Sequence, residues 1–283
     1  MALFSADEFV LSIAMIPRPR PRDAGVAESA DGTSIAWYRF GDGERAVLFV
    51  PTWNLVDHRV LGHQVAVLSA EATVLTYDPR GAGASGRPER GYDFPSHAAD
   101  ALAVLAATDV GAVSLVTASR SINTAALLIT DDPGRFERLA AIAPYVVFEP
   151  DPSWPDPEVL ESWRTDWAGF VRPFMHQVFT EPGSAELIDE VVAIAMEASP
   201  EVIVTQELEF DWARPAALLG DVETPTLVIH GDSDATTPMS MVERIVDTLP
   251  NARLALIPGG GHRPDVRTPE LVNPLLREFL LAA

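Results

Sequence analysis

Short apolar runs rich in Val, Leu and Ile recur along the chain at Ala46 to Val50, Thr73 to Tyr77, Ala112 to Val116, Leu139 to Ala143, Thr226 to His230 and Arg253 to Ile257. Runs this short and this uniformly apolar suit strands buried on both faces, as in a parallel sheet covered by helices. The segments between them agree. Ala98 to Ala107, Asn123 to Ile129, Met239 to Thr248 and Glu270 to Leu281 carry helical patterns, and this alternation specifies an α/β fold with a mostly parallel, doubly wound sheet. Two strands precede it, Val26 to Ser29 and Ile35 to Phe40, and Asp31-Gly32 between them predicts an antiparallel hairpin.

The alternation stops between about Tyr145 and Asp221. Aromatic residues crowd there, Trp154, Trp163, Trp167, Phe170, Phe174, Phe179, Phe210 and Trp212 among them, beside a helical stretch from Ala185 to Ala198. An insertion at this point sits over the carboxyl ends of the strands, where open α/β sheets bind ligands. The expected organisation is an N-terminal arm over 1–25, a core over 26–144 and 222–283, and a helical cap over 145–221. Within the arm, residues 1 to 16 suit a short amphipathic helix, and Pro17 to Arg22 an extended Pro/Arg linker. Trp163, Trp167, Phe170 and Phe174 are spaced by three and four, so they predict one stripe of a cap helix that binds substrate. The alternative is that they only hold the cap together.

Composition removes several classes of function. The formal net charge is −21, from 41 acidic against 20 basic residues, which repels phosphate backbones and anionic membranes, so neither nucleic acid nor membrane is expected as a partner. There is no cysteine, which excludes disulfides, thiolate nucleophiles and zinc-thiolate sites. Asp7 and Glu8 stand where a signal peptide carries Lys or Arg, so a cytoplasmic location is expected. The remaining histidines, His58, His63, His97, His176 and His230, show no metal-ligand spacing, and no dinucleotide fingerprint follows a strand. No metal and no cofactor are expected; a homodimer is compatible with the sequence.

Three strand ends carry chemistry. Ser114-Leu115-Val116-Thr117-Ala118-Ser119 is a β run ending in a serine just before a helical pattern, the setting of a strained strand-to-helix turn that exposes a nucleophile; the alternative is an ordinary helix N-cap. Thr226 to His230 runs into Gly231-Asp232-Ser233-Asp234, and Ile257 into Pro258-Gly259-Gly260-Gly261-His262. Asp234 is preferred to Asp232, because a carboxylate directly after Gly231 more naturally caps the turn. A serine hydroxyl is a weak nucleophile, so His262 is the expected general base and Asp234 the group that orients it. The oxyanion needs two N–H donors. Arg120, directly after Ser119, and Trp53, in the Pro51-Thr52-Trp53 loop where Pro51 has no N–H to give, are the candidates.

From Val26 to the C-terminus the sequence resembles the α/β-hydrolase superfamily. Tyr77-Asp78-Pro79-Arg80-Gly81-Ala82-Gly83-Ala84-Ser85 closely matches that family's Asp-x-Arg-Gly-x-Gly-x-Ser turn, which the resemblance makes structural. Thr117 and Ser121 replace the glycines usual in the nucleophile turn, so the turn is expected to be slightly opened and a change of both to glycine to speed turnover. The resemblance implies an α/β-hydrolase fold with a helical cap. It also implies a serine hydrolase cleaving a carboxylic ester or related acyl bond of a small to medium apolar substrate through an acyl-enzyme. Two alternatives stay open: the same triad on another bond (C–C, lactone, thioester, acyl transfer), and a non-catalytic ligand binder.

Overall fold

The computed structural model describes residues 16–282, so the expected helix over 1 to 16 lies, apart from Ile16, outside the described residues. In chain order the elements are β1 (Asp23–Glu28), β2 (Ser34–Phe40), β3 (Ala46–Phe49), α1 (Gly62–Leu68), β4 (Thr73–Tyr77), α2 (Phe94–Ala107), β5 (Val113–Ala118), α3 (Ser121–Asp131) and β6 (Phe136–Ile142). Helices α4 (Pro157–Thr165), α5 (Trp167–Val178), α6 (Ala185–Ala195), α7 (Pro200–Glu209) and α8 (Ala213–Leu218) then intervene. The chain returns to the sheet with β7 (Thr226–Gly231), α9 (Met239–Thr248), β8 (Ala252–Ile257), α10 (Pro264–Arg267) and α11 (Pro269–Leu281). Among the described residues no helix is long and apolar enough to cross a membrane.

The eight strands form one sheet in the order β1-β2-β4-β3-β5-β6-β7-β8. β1 and β2 pair antiparallel, as does β2 with β4, and the other pairs are parallel. β1 starts at Asp23, directly after the expected linker and inside the expected arm over 1–25, because Arg22 N–H already donates to Arg39 C=O and the ladder captures the residues that follow. The chain leaves β3 to one side for β4 and returns on its other side as β5. Strand order therefore reverses between β3 and β5, and the crevice beyond their carboxyl ends is where such a sheet places its ligand. The loop carrying Trp53 follows β3, and Ser119 follows β5.

Alternation within the strands builds two apolar layers. Leu48, Leu115, Leu139 and Val228 face α2, α3 and α9 through Val104, Leu105, Ile122, Val242 and Ile245. Their neighbours Val47, Val116, Ala140, Leu227 and Ile229 face α1 and α11 through Val65, Leu68, Val272 and Leu276. A third cluster joins α4 to α7 to the strand ends, and Trp53, Val60 and Val266 belong to it. The arm reaches this cluster: Ile16 is buried in it, and Arg18 pairs with Glu190 of α6 while donating to Arg59 C=O at 2.8 Å.

The turn after β4 ties these layers together. Arg80 is fully buried, and its guanidinium donates to both oxygens of Asp100 on α2 at 2.7 and 2.6 Å and to Asp31 of the hairpin turn at 2.8 Å. Gly83 has φ +49°, and a Cβ there would meet the Asp78 carboxylate at 2.3 Å. Asp78 thereby accepts the Ala84 N–H at 2.9 Å and the Tyr38 hydroxyl at 3.0 Å. Next to it, Arg80 C=O accepts from Asn54 Nδ2 at 2.6 Å, which fixes the loop after β3. One Gln206 side chain on α7 then donates to Asn54 Oδ1 at 3.0 Å and to His97 Nε2 of α2 at 3.1 Å, bridging helices on either side of that loop.

Two outcomes follow from these buried polar groups. Asp100→Ala leaves the buried Arg80 with Asp31 as its one carboxylate partner among the described residues and should cost about 3–5 kcal/mol in chemical denaturation; a loss under about 1 kcal/mol would show the pair to be dispensable. Burial pushes His97 down to about 4, against the nearby Asp100 carboxylate that works to raise it. The unfolded chain therefore binds a proton that the folded chain refuses between pH 6.5 and about 4, and stability falls as pH drops through that window. Replacing His97 by Gln should flatten the slope of unfolding free energy against pH there by up to about 1.4 kcal/mol per pH unit. An unchanged slope would mean that His97 is not held neutral.

Candidate active site

Ser119 has φ +53°, a left-handed conformation that costs a non-glycine residue roughly 1–3 kcal/mol and persists only where its surroundings hold it. They do so here on both sides. Ser119 N–H donates to Ile142 C=O at the end of β6 at 2.8 Å, and Ser119 C=O accepts from Tyr145 N–H at 3.1 Å. Asn123 Nδ2, one turn into α3, donates to both Arg120 C=O and Tyr145 C=O. The turn is thus fixed between β5, α3 and the chain leaving β6.

Ser121 does not open this turn as its size suggests. Its buried hydroxyl donates to Ala118 C=O and accepts from Ala118 N–H, both at 2.9 Å, while the Thr117 hydroxyl lies 3.5 Å from Ala140 C=O. Ser121 is therefore a strut of the turn, and Ser119 is the serine left facing the cavity. These bonds weigh against the expectation that glycine at both positions would speed turnover.

The other two strand ends meet close by. Gly231 ends β7, and a Cβ on it would stand 2.1 Å from Gly260 C=O and 2.3 Å from Gly261 C=O, so only glycine lets the two loops touch. Across that contact His262 Nδ1 lies 2.8 Å from Asp234 Oδ2. The other Asp234 oxygen accepts the N–H groups of Thr236 and Thr237 at 2.7 and 2.9 Å. Burial works to raise the Asp234 pKa, but the hydrogen bond and charge of His262 and the two N–H groups outweigh it, and the carboxyl sits below its usual range. Asp232 instead accepts the Gly259 N–H at 2.7 Å and braces the turn. His230 Nδ1 lies 3.7 Å from Asp234 Oδ2, the oxygen bonded to His262, and the His230 pKa is lowered by burial.

Ser119 and His262 line one cavity of about 330 Å³, together with Trp53, Arg120, Trp163, Phe170 and Phe174. Among the described residues the N–H groups of Trp53 and Arg120 and the Nε2 of His262 have no hydrogen-bond partner. Trp53 packs edge-on against Trp163, Phe170 and Phe174 at ring-centroid distances of 6.0, 5.9 and 5.2 Å. The four expected aromatics do not form one stripe. Asp166 leaves helical geometry (φ −137°, ψ 68°) and accepts the Gly169 N–H, which ends α4 after Trp163 and starts α5 at Trp167. Trp167, at the first position of α5, packs on Phe170 at 5.5 Å and is not among the residues lining the cavity.

Two features have no local signal in the sequence. The Arg120 side chain pairs with Glu207 on α7, and its guanidinium lies 4.4 Å from the centroid of the Trp53 ring. Eighty-seven residues separate the charged partners. Asp57, His58 and Asp78 also bring potential metal-ligand atoms within 4.8 Å of one another. These groups are engaged with protein: His58 Nδ1 with Asp78 at 2.6 Å, and Asp57 with Arg59. His58 is stacked on Tyr38 at 3.9 Å, so the cluster is a brace for the turn after β4.

Because its hydroxyl holds the Ala118 peptide, Ser121→Gly should lower stability by about 0.5–2 kcal/mol and leave kcat unchanged or reduced. A folded Ser121→Gly or Thr117→Gly, Ser121→Gly protein that turned over faster would show these side chains to displace Ser119.

Residues 47–275 match the family model described as "Alpha/beta hydrolase family". The chain is 30% identical over 237 residues to a putative non-heme chloroperoxidase from Synechocystis sp., covering 76% of this chain and 84% of that protein. It is 24% identical to the mouse (Mus musculus) protein named serine hydrolase BPHL, over 89% of this chain and 84% of the relative. In fold it is similar to an esterase from Exiguobacterium antarcticum, with a TM-score of 0.83 over 92% of this chain and 100% of that one at 19% identity. With its mostly parallel sheet, its strand reversal at β3 and β5 and this family match, the chain belongs to the alpha/beta hydrolase family and is a hydrolase-type enzyme.

Proposed function

We propose that the protein is a serine hydrolase that cleaves a carboxylic ester, or a closely related acyl bond, of a small to medium apolar substrate, with Ser119 as nucleophile, His262 as base and Asp234 as its orienting acid. One observation carries this reading: a serine strained into φ +53° at a strand tip shares an aromatic cavity with a histidine whose Nδ1 is held by a buried carboxylate at 2.8 Å.

The chemistry follows from those positions. Asp234 accepts from Nδ1 and so fixes the tautomer of His262 that leaves Nε2 as the base. Nε2 removes the hydroxyl proton as Ser119 attacks the ester carbonyl; the imidazolium formed is stabilised by Asp234 and returns its proton to the leaving alcohol. The negative oxygen of the tetrahedral species is held by the N–H groups of Arg120 and Trp53, each such donor being worth about 100- to 1,000-fold in rate. Water then repeats the sequence on the acyl-enzyme. Helices α4 to α8 act as a cap over 145–221, and Trp163, Phe170 and Phe174 supply the apolar wall that favours an apolar acyl group. Trp167 supports that wall from behind Phe170.

Labelling with a fluorophosphonate followed by peptide mass spectrometry should place the adduct on Ser119. Ser119→Ala, Asp234→Asn and His262→Ala should each lower kcat for a short-chain ester by about 10⁴-fold or more without loss of folded structure. An adduct on Ser121, or near-normal turnover by folded Ser119→Ala, would refute the assignment.

A further inference from the structure

The charged groups lining the aromatic cavity are matched. Arg263, beside His262, is buried against its own partner Asp265 at 2.9 and 2.7 Å, and His262 is held by Asp234 behind the cavity wall. Arg120, beside Ser119, is paired with Glu207, whose carboxylate is 2% exposed and whose second oxygen accepts from Trp154 Nε1 at 3.3 Å. Trp53 lies under the guanidinium at 4.4 Å, and Trp212 and Phe210 flank it at 5.2 and 5.5 Å. Arg120 nevertheless keeps 16% side-chain exposure, and among the described residues its Nε and Nη2 have no acceptor. Arg120, Glu207, Tyr145 and Trp154 also line a second, outer groove of about 740 Å³, so the ion pair stands in the wall between cavity and groove.

An unpaired guanidinium one residue from the nucleophile would be an anchor for carboxylates, since it is always charged and offers a fork of donors that matches them. Glu207 takes that place. A carboxylate on the substrate would have to share Arg120 with a buried carboxylate already bonded to it, which brings two like charges together on one guanidinium.

We propose that the Arg120–Glu207 pair sets the charge specificity of the site: Glu207 cancels the cation beside Ser119, so the enzyme takes uncharged esters and rejects those bearing a carboxylate, while the free N–H groups of Arg120 meet an uncharged substrate oxygen. This rests on the ester-hydrolase reading above. The pair also requires α7 to be docked on the nucleophile turn when the substrate is held.

The test compares kcat/KM for methyl pentanoate, for monomethyl succinate and for the methyl ester of 4-(trimethylammonio)butyrate, followed by acid release. The natural protein should favour the neutral ester over both charged ones. Glu207→Gln should shift the ratio toward monomethyl succinate by about 10- to 100-fold, the worth of a charged hydrogen-bonded pair. Arg120→Gln, which keeps the backbone N–H, should shift it away from the succinate and toward the cationic ester. The two variants move in opposite directions, so whichever of them folds decides the question by its sign. A ratio within about twofold of the natural protein's in a folded variant overturns the proposal. Failure of the ester reading itself is separate: it would show as no fluorophosphonate label on Ser119 and no turnover of methyl pentanoate by the natural protein.

Discussion

The left-handed backbone of Ser119 is the constraint around which the molecule is arranged. A non-glycine residue at φ +53° relaxes unless its neighbours hold it, and the neighbours are the ends of β5 and β6, the first turn of α3 and the chain leading to Tyr145. Parallel strands make this possible because all their carboxyl ends face one way. The residues just past β3, β5, β7 and β8 can therefore meet, although Trp53, Ser119, Asp234 and His262 are scattered through the sequence.

The second organising theme is buried charge that is matched pair by pair. Arg80 with Asp100 and Asp31 fixes the turn after β4, and that turn holds Asn54 and through it the Trp53 loop. Gln206 and Glu207, consecutive on α7, reach in turn to Asn54 and to Arg120. One helix of the segment between β6 and β7 thus touches both loops that carry the N–H groups assigned to the oxyanion. In such networks a single missing partner costs more than the pair is worth, which rigidifies the site when it is complete.

Much of this was legible in the sequence because it is local. An apolar run gave β4 at Thr73–Tyr77 and a helical pattern gave α9 at Met239–Thr248 to the residue, and the Asp78 to Ser85 turn carries its glycines where positive φ and close approach demand them. β6 begins three residues before the expected Leu139, since Phe136 is drawn in by pairing with Val113. What lay hidden depends on contacts between distant residues or on one residue's competing bond. Nothing near Arg120 announces Glu207. Ser121 reads as a misfit by size, yet its hydroxyl completes the turn. The spacing of Trp163, Trp167, Phe170 and Phe174 fits a helix, but the Asp166 side chain prefers to cap one and breaks the stripe in two.

The most direct measurement is a crystal structure of the protein after reaction with a fluorophosphonate. The account requires phosphorus bonded to Ser119 Oγ and the phosphoryl oxygen about 2.7–3.1 Å from the N–H groups of both Trp53 and Arg120, with His262 still bonded to Asp234. A phosphoryl oxygen bound by other donors, or phosphorus on another side chain, would contradict it.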